Sequence, residues 1–313
     1  MADMAIDAWT AYWRTGQAAS CLFGANAEVQ FSEIWRSFVS GFASGARLID
    51  LATGNGAAVL VCASHARDLA LDLRFDAVDA AEIDPLRVSA EASTLDVAFA
   101  GHVRLEHLPF PDAMFDGALS QFGFEYADEP KAVREVARVL APGGRLRLVM
   151  HAADGAVSQD IGRRLQRLDR VMQQGGPMQL VRALTRAAAQ EDWDAVRRRS
   201  ADLPKATAVL QQISTEAPPD DAAVFYSKAF LDDWAQRERY RPADLSRAIE
   251  NGWKNAAGVA LRQRQMIRAA RSRDALATLG ARFEHAGLQM AAPVPITDQR
   301  QVQIAWLVDA VKL

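Results

Sequence analysis

The stretch RLIDLATGNGAAVL, residues 47–60, constrains the fold more than any other part of the sequence. An apolar run at residues 48–51 leads into a turn of small residues at 53–56, and the chain continues with residues that favour a helix. Glycines in such a turn let the backbone approach a ligand closely, and the start of the following helix offers free N–H groups. The stretch therefore predicts a strand, a glycine turn and a helix, which together begin a nucleotide-binding sheet.

The same alternation of apolar runs continues to residue 150. The pattern predicts strands at residues 46–51, 74–79, 102–105, 116–120 and 144–150, and helices at 57–67, 84–93 and 129–140. Strands that alternate with helices form a parallel sheet covered on both faces. We therefore expect an α/β fold for this part of the chain.

The rest of the chain has a different sequence pattern. Residues 1–45 are helical in pattern and rich in aromatic side chains, and residues 156–270 contain no convincing strand. Near residue 272 a helix begins that ends at Gly287, and two strands follow at 289–297 and 301–313. The predicted organisation is a helical cap at 1–45, an α/β domain at 46–150 plus 271–313, and a helical insertion at 151–270 that acts as a lid, a substrate domain or a dimer domain.

Composition limits the classes of binding partner and the cellular compartment that we expect for this protein. The formal net charge of −3 argues against nucleic acid, whose phosphates need a basic face. No apolar run approaches the roughly 20 residues that span a bilayer, and residues 1–20 have no leader-like apolar core. We therefore expect a cytoplasmic protein with no membrane partner. Cys21 and Cys62 are expected to be free thiols, and no metal site is expected because no histidine has a partner at metal-ligand spacing.

Three ligands compete for the glycine turn. An ATP triphosphate needs a Gly-Lys-Ser/Thr sequence after the turn, which is missing here. A dinucleotide needs a small residue where Val59 stands, and Asp50 is a poor neighbour for a pyrophosphate. The same carboxylate suits S-adenosylmethionine, whose methionine part carries an ammonium group. This third ligand fits best.

Four segments, taken in order, resemble one family. The pattern Asp50-x-Ala52-x-Gly54-x-Gly56 resembles the first motif of class I S-adenosylmethionine-dependent methyltransferases, with Ala52 in place of its first glycine. FDAVDAAEIDP ends a strand with an acid, Asp79, as both this family and dinucleotide folds do. Residues 108–121 resemble the segment that leads into the family's fourth strand, and residues 134–150 resemble its next helix, turn and fifth strand. The resemblance covers residues 46–150 and 272–313, and it implies a Rossmann-like seven-stranded sheet, mostly parallel, with an antiparallel last strand.

The resemblance also implies a cofactor site. Its members are Asp50, Ala52, Gly54, Asn55, Gly56, Asp79, Ala80, Glu106, His107, Gln121 and Phe122. By the resemblance Asp50 helps hold the amino group of the cofactor, residues 54–56 wrap its methionine part and Asp79 binds its ribose. Glu106 and His107, expected at the end of strand three, meet the adenine, although a solvated Glu106 is an equal alternative. Gln121 and Phe122 lie beside the sulfur.

Two residues are candidates for catalysis. His151, expected just past strand five, is placed to take a proton from the acceptor; the alternative is a hydrogen-bonded structural histidine. Tyr126, together with Glu125, is expected to reach the substrate; the alternative for Tyr126, as for Phe122, is a core aromatic. Because the methyl group is already activated, neither residue is required as a base.

The flanking helical segments carry further candidates. Trp9, Tyr12 and Trp13 are placed to close over the cofactor, with ring faces against the sulfonium. The row Arg264, Arg268 and Arg271 is interpreted as a solvated helix face. A second row, at positions 226, 230 and 234, places Tyr, Phe and Trp at helical spacing and is interpreted as core of the insertion.

The sequence therefore predicts an enzyme, an S-adenosylmethionine-dependent methyltransferase that acts on a small-molecule acceptor by in-line displacement and releases S-adenosylhomocysteine. Two alternatives stay open. One is a nicotinamide-dependent oxidoreductase on a similar sheet, and the other is a non-catalytic S-adenosylmethionine-binding or scaffold protein. A homodimer formed through the insertion is also possible.

Overall fold

The computed structural model describes residues 2–17 and 25–313. The chain divides into two compact units, one formed by Met1–Gln159 with Gln265–Leu313 and the other by Asp160–Arg264. Both boundaries fall inside helices, so the helical unit is shorter at both ends than the predicted insertion at 151–270. Cys21 lies outside the described residues, and Cys62 is a buried free thiol.

The first unit contains an eight-stranded sheet. Its strands are β1 Arg47–Leu51, β2 Arg74–Val78, β3 Val97–Ala100, β4 Phe115–Gln121, β5 Leu140–His151, β6 Leu288–Met290, β7 Val294–Thr297 and β8 Gln303–Lys312. Their order is β3-β2-β1-β4-β5-β8-β6, and β7 pairs with β8. Strands β1 to β5 are parallel to their neighbours, whereas β8 runs antiparallel to β5. The predicted Rossmann-like fold is confirmed.

The outer edge of the sheet differs from the sequence prediction in one detail. Residues 289–297 were expected to form one strand, but they form parts of β6 and β7, separated by residues 291–293. β6 pairs with residues 310–312 of β8, and β7 pairs with residues 303–307. β6 and β7 thus share one position beside β8, so the eight strands occupy seven positions across the sheet. The interruption contains Pro293, which has no N–H to donate to a ladder.

The third strand also lies earlier than predicted. Residues 97–100 pair with β2, Phe75 opposite Val97 and Ala77 opposite Phe99, whereas residues 102–105 lie in the loop that follows. The strand ends because Gly101 and His102 turn the chain, and His102 adopts a left-handed backbone with φ 60°. The prediction of a strand at 102–105 is wrong, and Glu106 and His107 lie in a loop instead of at a strand end.

Helices cover the sheet of the first unit. They are α1 Ala2–Trp13, α2 Ala25–Val39, α3 Ala57–Asp68, α4 Pro85–Val88, α5 Glu129–Val139 and, after the helical unit, α12 Arg273–His285. The helix predicted at 84–93 is one α turn followed by a 3-10 turn at Ala90–Thr94. Asp128 begins α5, because its side chain accepts from the Lys131 N–H. The other predicted helices agree with the structure within a few residues.

The second unit is entirely helical. Its helices are α6 Ala156–Met172, α7 Pro177–Ala189, α8 Trp193–Ser200, α9 Leu203–Glu216, α10 Ala222–Ala235 and α11 Pro242–Ala269, of which α6 begins and α11 ends in the first unit. Phe230 and Trp234 are buried in its core and Tyr226 packs against it, which confirms the interpretation of that row as core. Among the described residues, no helix is both long and apolar enough to cross a bilayer.

Candidate cofactor and acceptor site

A cavity of about 720 Å³ in the first unit is lined by residues at the carboxyl ends of β1, β2 and β4. Asp50 and Thr53 come from the end of β1 and its turn, Asp79 directly follows β2, and Gln121 is the last residue of β4. Ligands of open α/β sheets bind at this edge, where the strand order reverses. The volume lies within the range of small-molecule sites.

Asp50 is a buried carboxylate in the cavity wall. Its Oδ2 accepts a hydrogen bond from the Thr53 hydroxyl at 2.7 Å, and its Oδ1 has no hydrogen-bond partner within the described residues. Burial raises the pKa of Asp50 to about 7; the Thr53 bond and the backbone N–H of Val59 oppose this shift, and the charge of Asp79 adds to it. A buried oxygen without a partner is costly, and a cationic group of a ligand would satisfy it.

Asp79 ties the second strand to the glycine turn. Its Oδ2 accepts from the Gly54 N–H and its Oδ1 from the Ala81 N–H, both at 2.8 Å. Burial raises the pKa of Asp79, and the two N–H groups partly offset the shift. The carboxylate is therefore held by backbone groups while it lines the cavity.

Glycine is required in the turn itself. Gly54 and Gly56 have φ of 56° and 92°, which other residues rarely adopt. A Cβ on Gly54 would lie 2.5 Å from the ring of Trp13. The Asn55 side chain donates to the carbonyls of Trp13 at 3.1 Å and Gln17 at 2.8 Å. The turn is therefore packed beneath the end of α1.

Helix α1 forms one wall of the cavity through Ile6, Trp9 and Trp13. The Trp9 ring stacks on Trp13 with centroids 5.9 Å apart and meets Tyr126 edge-on at 5.6 Å. Its Nε1 donates to Gln265 Oε1 at 2.9 Å. Tyr12 contacts both tryptophans but does not line the cavity.

A second wall comes from the segment after β4. Phe122 has a left-handed backbone, φ 55°, and its ring lies 4.5 Å from the ring of His151. Glu125 lines the cavity. Its Oε1 accepts from the backbone N–H of His151 at 2.9 Å and from His151 Nδ1 at 2.8 Å. Its Oε2 has no hydrogen-bond partner in the described part of the chain.

Comparison with known proteins agrees with this geometry. Residues 49–148 match a family described as a methyltransferase domain. This chain carries a class I S-adenosylmethionine-dependent methyltransferase domain. It is 44% identical over 110 residues to a demethylmenaquinone methyltransferase of Thermus thermophilus, covering 32% of this chain and 44% of that protein.

Two further relatives match the methyltransferase domain. A demethylmenaquinone methyltransferase of Deinococcus radiodurans is 36% identical over 104 residues, covering 33% of this chain and 42% of that protein. A ubiquinone/menaquinone biosynthesis C-methyltransferase of Psychromonas ingrahamii is 34% identical over 123 residues, covering 36% and 47%. The chain thus spans less than half the length of each of these relatives.

Most of the predicted cofactor residues line the same cavity. The members that line it are Asp50, Ala52, Asp79, Ala80, Glu106, Gln121 and Phe122. Gly54, Asn55 and Gly56 lie in the adjoining turn, whereas His107 is exposed and does not line the cavity. Glu106 is fixed in its loop, since its Oε1 accepts from the Asp128 N–H at 2.8 Å.

The two candidate catalytic residues are placed differently. Tyr126 lines the cavity. His151, the last residue of β5 instead of the first beyond it, is fully buried and does not line the cavity. It lies behind Glu125, whose side chain is also fully buried.

The arginine row is a solvated helix face only in part: Arg264 and Arg268 are exposed on α11, as interpreted, whereas Arg271 is not. Arg271 lies beyond the end of α11, and its side chain is 16% exposed and pairs with Glu129 at 2.8 Å. It also donates to the backbone carbonyl of Glu125 at 3.2 Å. Arg268 lines the cavity, and Arg264 pairs with Asp169 on α6. The helical spacing could not reveal this, because the partners come from distant segments.

Proposed function

We propose that this protein is an S-adenosylmethionine-dependent methyltransferase that methylates a small-molecule acceptor. The observation that carries the proposal is Asp50, whose Oδ1 is buried at the cavity wall without a hydrogen-bond partner in the described part of the chain. It stands beside the glycine turn, at the end of the first strand of a methyltransferase domain. A ligand that carries an ammonium group satisfies this oxygen.

The remaining donors and acceptors of the cavity also suit this cofactor. Asp79 provides a carboxylate for the ribose hydroxyls, and its backbone hydrogen bonds hold it in place. The rings of Trp9, Trp13 and Tyr126 provide faces to which a sulfonium cation is attracted. When bound, the cofactor supplies a methyl group on a positively charged sulfur, which is an activated leaving group.

The chain then has to orient the acceptor and exclude water. Holding two reactants in line contributes on the order of 7–11 kcal/mol. Ile6, Trp9 and Trp13 of α1 line the cavity together with Phe122 and Tyr126 of the segment after β4. These side chains suit an acceptor with an apolar or aromatic body. The relatives are named for quinone biosynthesis, and we extend to this chain only the class of small organic acceptors.

Calorimetric titration tests this proposal. We expect micromolar binding of S-adenosylmethionine and S-adenosylhomocysteine, no binding of NAD, and loss of binding in Asp79→Ala. Asp68→Ala, an exposed carboxylate outside the cavity, is the matched control and should bind as the unmodified protein does. Binding of NAD alone would contradict the proposal in favour of an oxidoreductase.

Cofactor binding alone does not separate an enzyme from a scaffold. Transfer of a labelled methyl group from S-adenosylmethionine to a panel of phenols, hydroxy acids and amines makes that distinction. We expect labelled product with at least one class, and Asp79→Ala should abolish it. Tight cofactor binding without transfer to any acceptor would favour the non-catalytic alternative.

A further inference from the structure

The cavity wall on the β4 and β5 side carries a buried carboxylate that cofactor binding does not use. Glu125 lies in a 3-10 turn, Phe124–Tyr126, four residues after the end of β4. Its side chain is fully buried, and the residue contributes to the wall of the cavity. One oxygen accepts two hydrogen bonds from His151, and the other, Oε2, has none in the described part of the chain.

The position of this carboxylate is fixed by several segments. The Ser120 hydroxyl accepts from the Phe124 N–H at 3.0 Å and donates to the Leu51 carbonyl at 2.6 Å, which holds the turn against β1. Arg271 donates to the backbone carbonyl of Glu125. The His151 ring nitrogen Nδ1 lies 2.8 Å from Glu125 Oε1 and fixes the orientation of the carboxyl group. A group held from this many sides is preorganised for a ligand.

No arginine or lysine neutralises Glu125 among the described residues. Its one ion-pair partner there is the imidazole of His151, and the nearby guanidinium of Arg271 pairs with Glu129. Leaving a buried carboxylate oxygen without a hydrogen bond costs about 1–3 kcal/mol or more. A ligand that brings a proton donor to Oε2 recovers this cost.

Asp50 and Asp79 come from β1 and β2, so the wall left for the acceptor is the one formed after β4. We propose that Glu125 Oε2 receives the proton of the acceptor's reacting group and that His151 is the positioning residue behind it. This inference rests on the proposed function and names the acceptor class. That class is a small molecule with a hydroxyl or a protonated amine next to an apolar or aromatic body.

Protons and electron pairs are conserved in the proposed methyl transfer. The O–H or N–H bond of the acceptor breaks and its proton moves to Glu125 Oε2. The electron pair released on the acceptor forms the new bond to the methyl carbon. The electrons of the broken S–C bond stay on sulfur as a thioether lone pair. The proton on Glu125 passes to solvent when the product leaves, which restores the carboxylate.

A test without knowledge of the acceptor uses sinefungin, which carries an ammonium group where the cofactor carries its methyl group. We expect the protein to bind sinefungin at least tenfold more tightly than S-adenosylhomocysteine. Glu125→Gln should reduce this preference to less than threefold and leave the S-adenosylhomocysteine affinity within twofold. Glu33→Gln, which removes an exposed carboxylate of α2 outside the cavity, should leave the ratio unchanged.

The outcomes are distinguishable. Failure of the unmodified protein to bind S-adenosylhomocysteine overturns the proposed function and this inference with it. Normal binding with equal ratios in the unmodified protein and Glu125→Gln overturns this inference alone. If Glu125→Gln does not fold, as judged by circular dichroism, Glu125→Asp withdraws the charge by one methylene and should lower the ratio at least threefold; an unchanged ratio there also overturns it.

Discussion

Binding of S-adenosylmethionine should weaken steeply below pH 7, because Asp50 must be ionised to hold the ammonium group. Burial raises the pKa of this carboxyl to about 7. Such a group is about half ionised at pH 7 and about 1% ionised at pH 5, so the affinity should fall about 50-fold between the two. The ligand's own α-amino group remains protonated over this range, since such groups titrate near about 8.

The assay is calorimetric titration at about pH 5, 6 and 7 with S-adenosylmethionine and with 5′-methylthioadenosine, which lacks the amino-acid part. Titration of Asp79 affects both ligands through the ribose, so the ratio of the two affinities isolates Asp50. This ratio should fall about 50-fold towards pH 5, and it should be independent of pH in Asp50→Asn. A ratio in the unmodified protein that changes less than about fivefold would refute the role given to Asp50.

The raised pKa of Asp50 also makes the stability of the ligand-free protein depend on pH. Stability falls as pH rises, whereas cofactor binding becomes stronger. The folded pKa lies above the value of 3.8 for an unperturbed carboxyl, so between about pH 4 and 7 the folded protein binds more protons at this site than the unfolded chain. The contribution of Asp50 to the free energy of unfolding therefore falls as pH rises, by up to about 4 kcal/mol. Asp50→Asn should raise the melting temperature of the ligand-free protein at pH 8, and a lower melting temperature would contradict the shift.

Two further predictions concern packing and charge. Gly54→Ala places a Cβ 2.5 Å from the Trp13 ring at a positive φ, so it should lower the free energy of unfolding by at least about 2 kcal/mol and weaken cofactor binding. Gly16→Ala has a positive φ but open space and should cost about 1 kcal/mol in denaturant titration; equal losses would contradict the contact. Asp221→Ala leaves an arginine of α6 unpaired and should destabilise the helical unit by about 3–5 kcal/mol. Asp232→Ala breaks an exposed pair and should cost less than about 1 kcal/mol, so similar melting temperatures for these two variants would refute the argument.

Local signals in the sequence were sufficient for most of the architecture. The strand, turn and helix at 47–60 follow from hydrophobic periodicity and from glycines that permit a positive φ, and the carboxylates Asp50 and Asp79 come with the strand ends that carry them. The third strand was misplaced because residues 97–100 and 102–105 are both short segments that contain apolar residues. Pairing with β2 selects the first of them, and a single sequence contains no record of that pairing.

Whether a homodimer forms stays a prediction, and so do the roles given to the individual site residues. The amino-acid sequence by itself determined that a parallel sheet would present small residues and two acids at one edge. Only the tertiary structure decided that Trp13 covers Gly54, that Arg271 is partly buried and paired with Glu129, and that Glu125 lies at the cavity wall against His151. The physical reason is the separation in sequence of the residues that interact. Periodicity and turn chemistry act over a few residues, whereas these contacts join segments from 26 to more than 100 residues apart, and their geometry exists only once the sheet has formed.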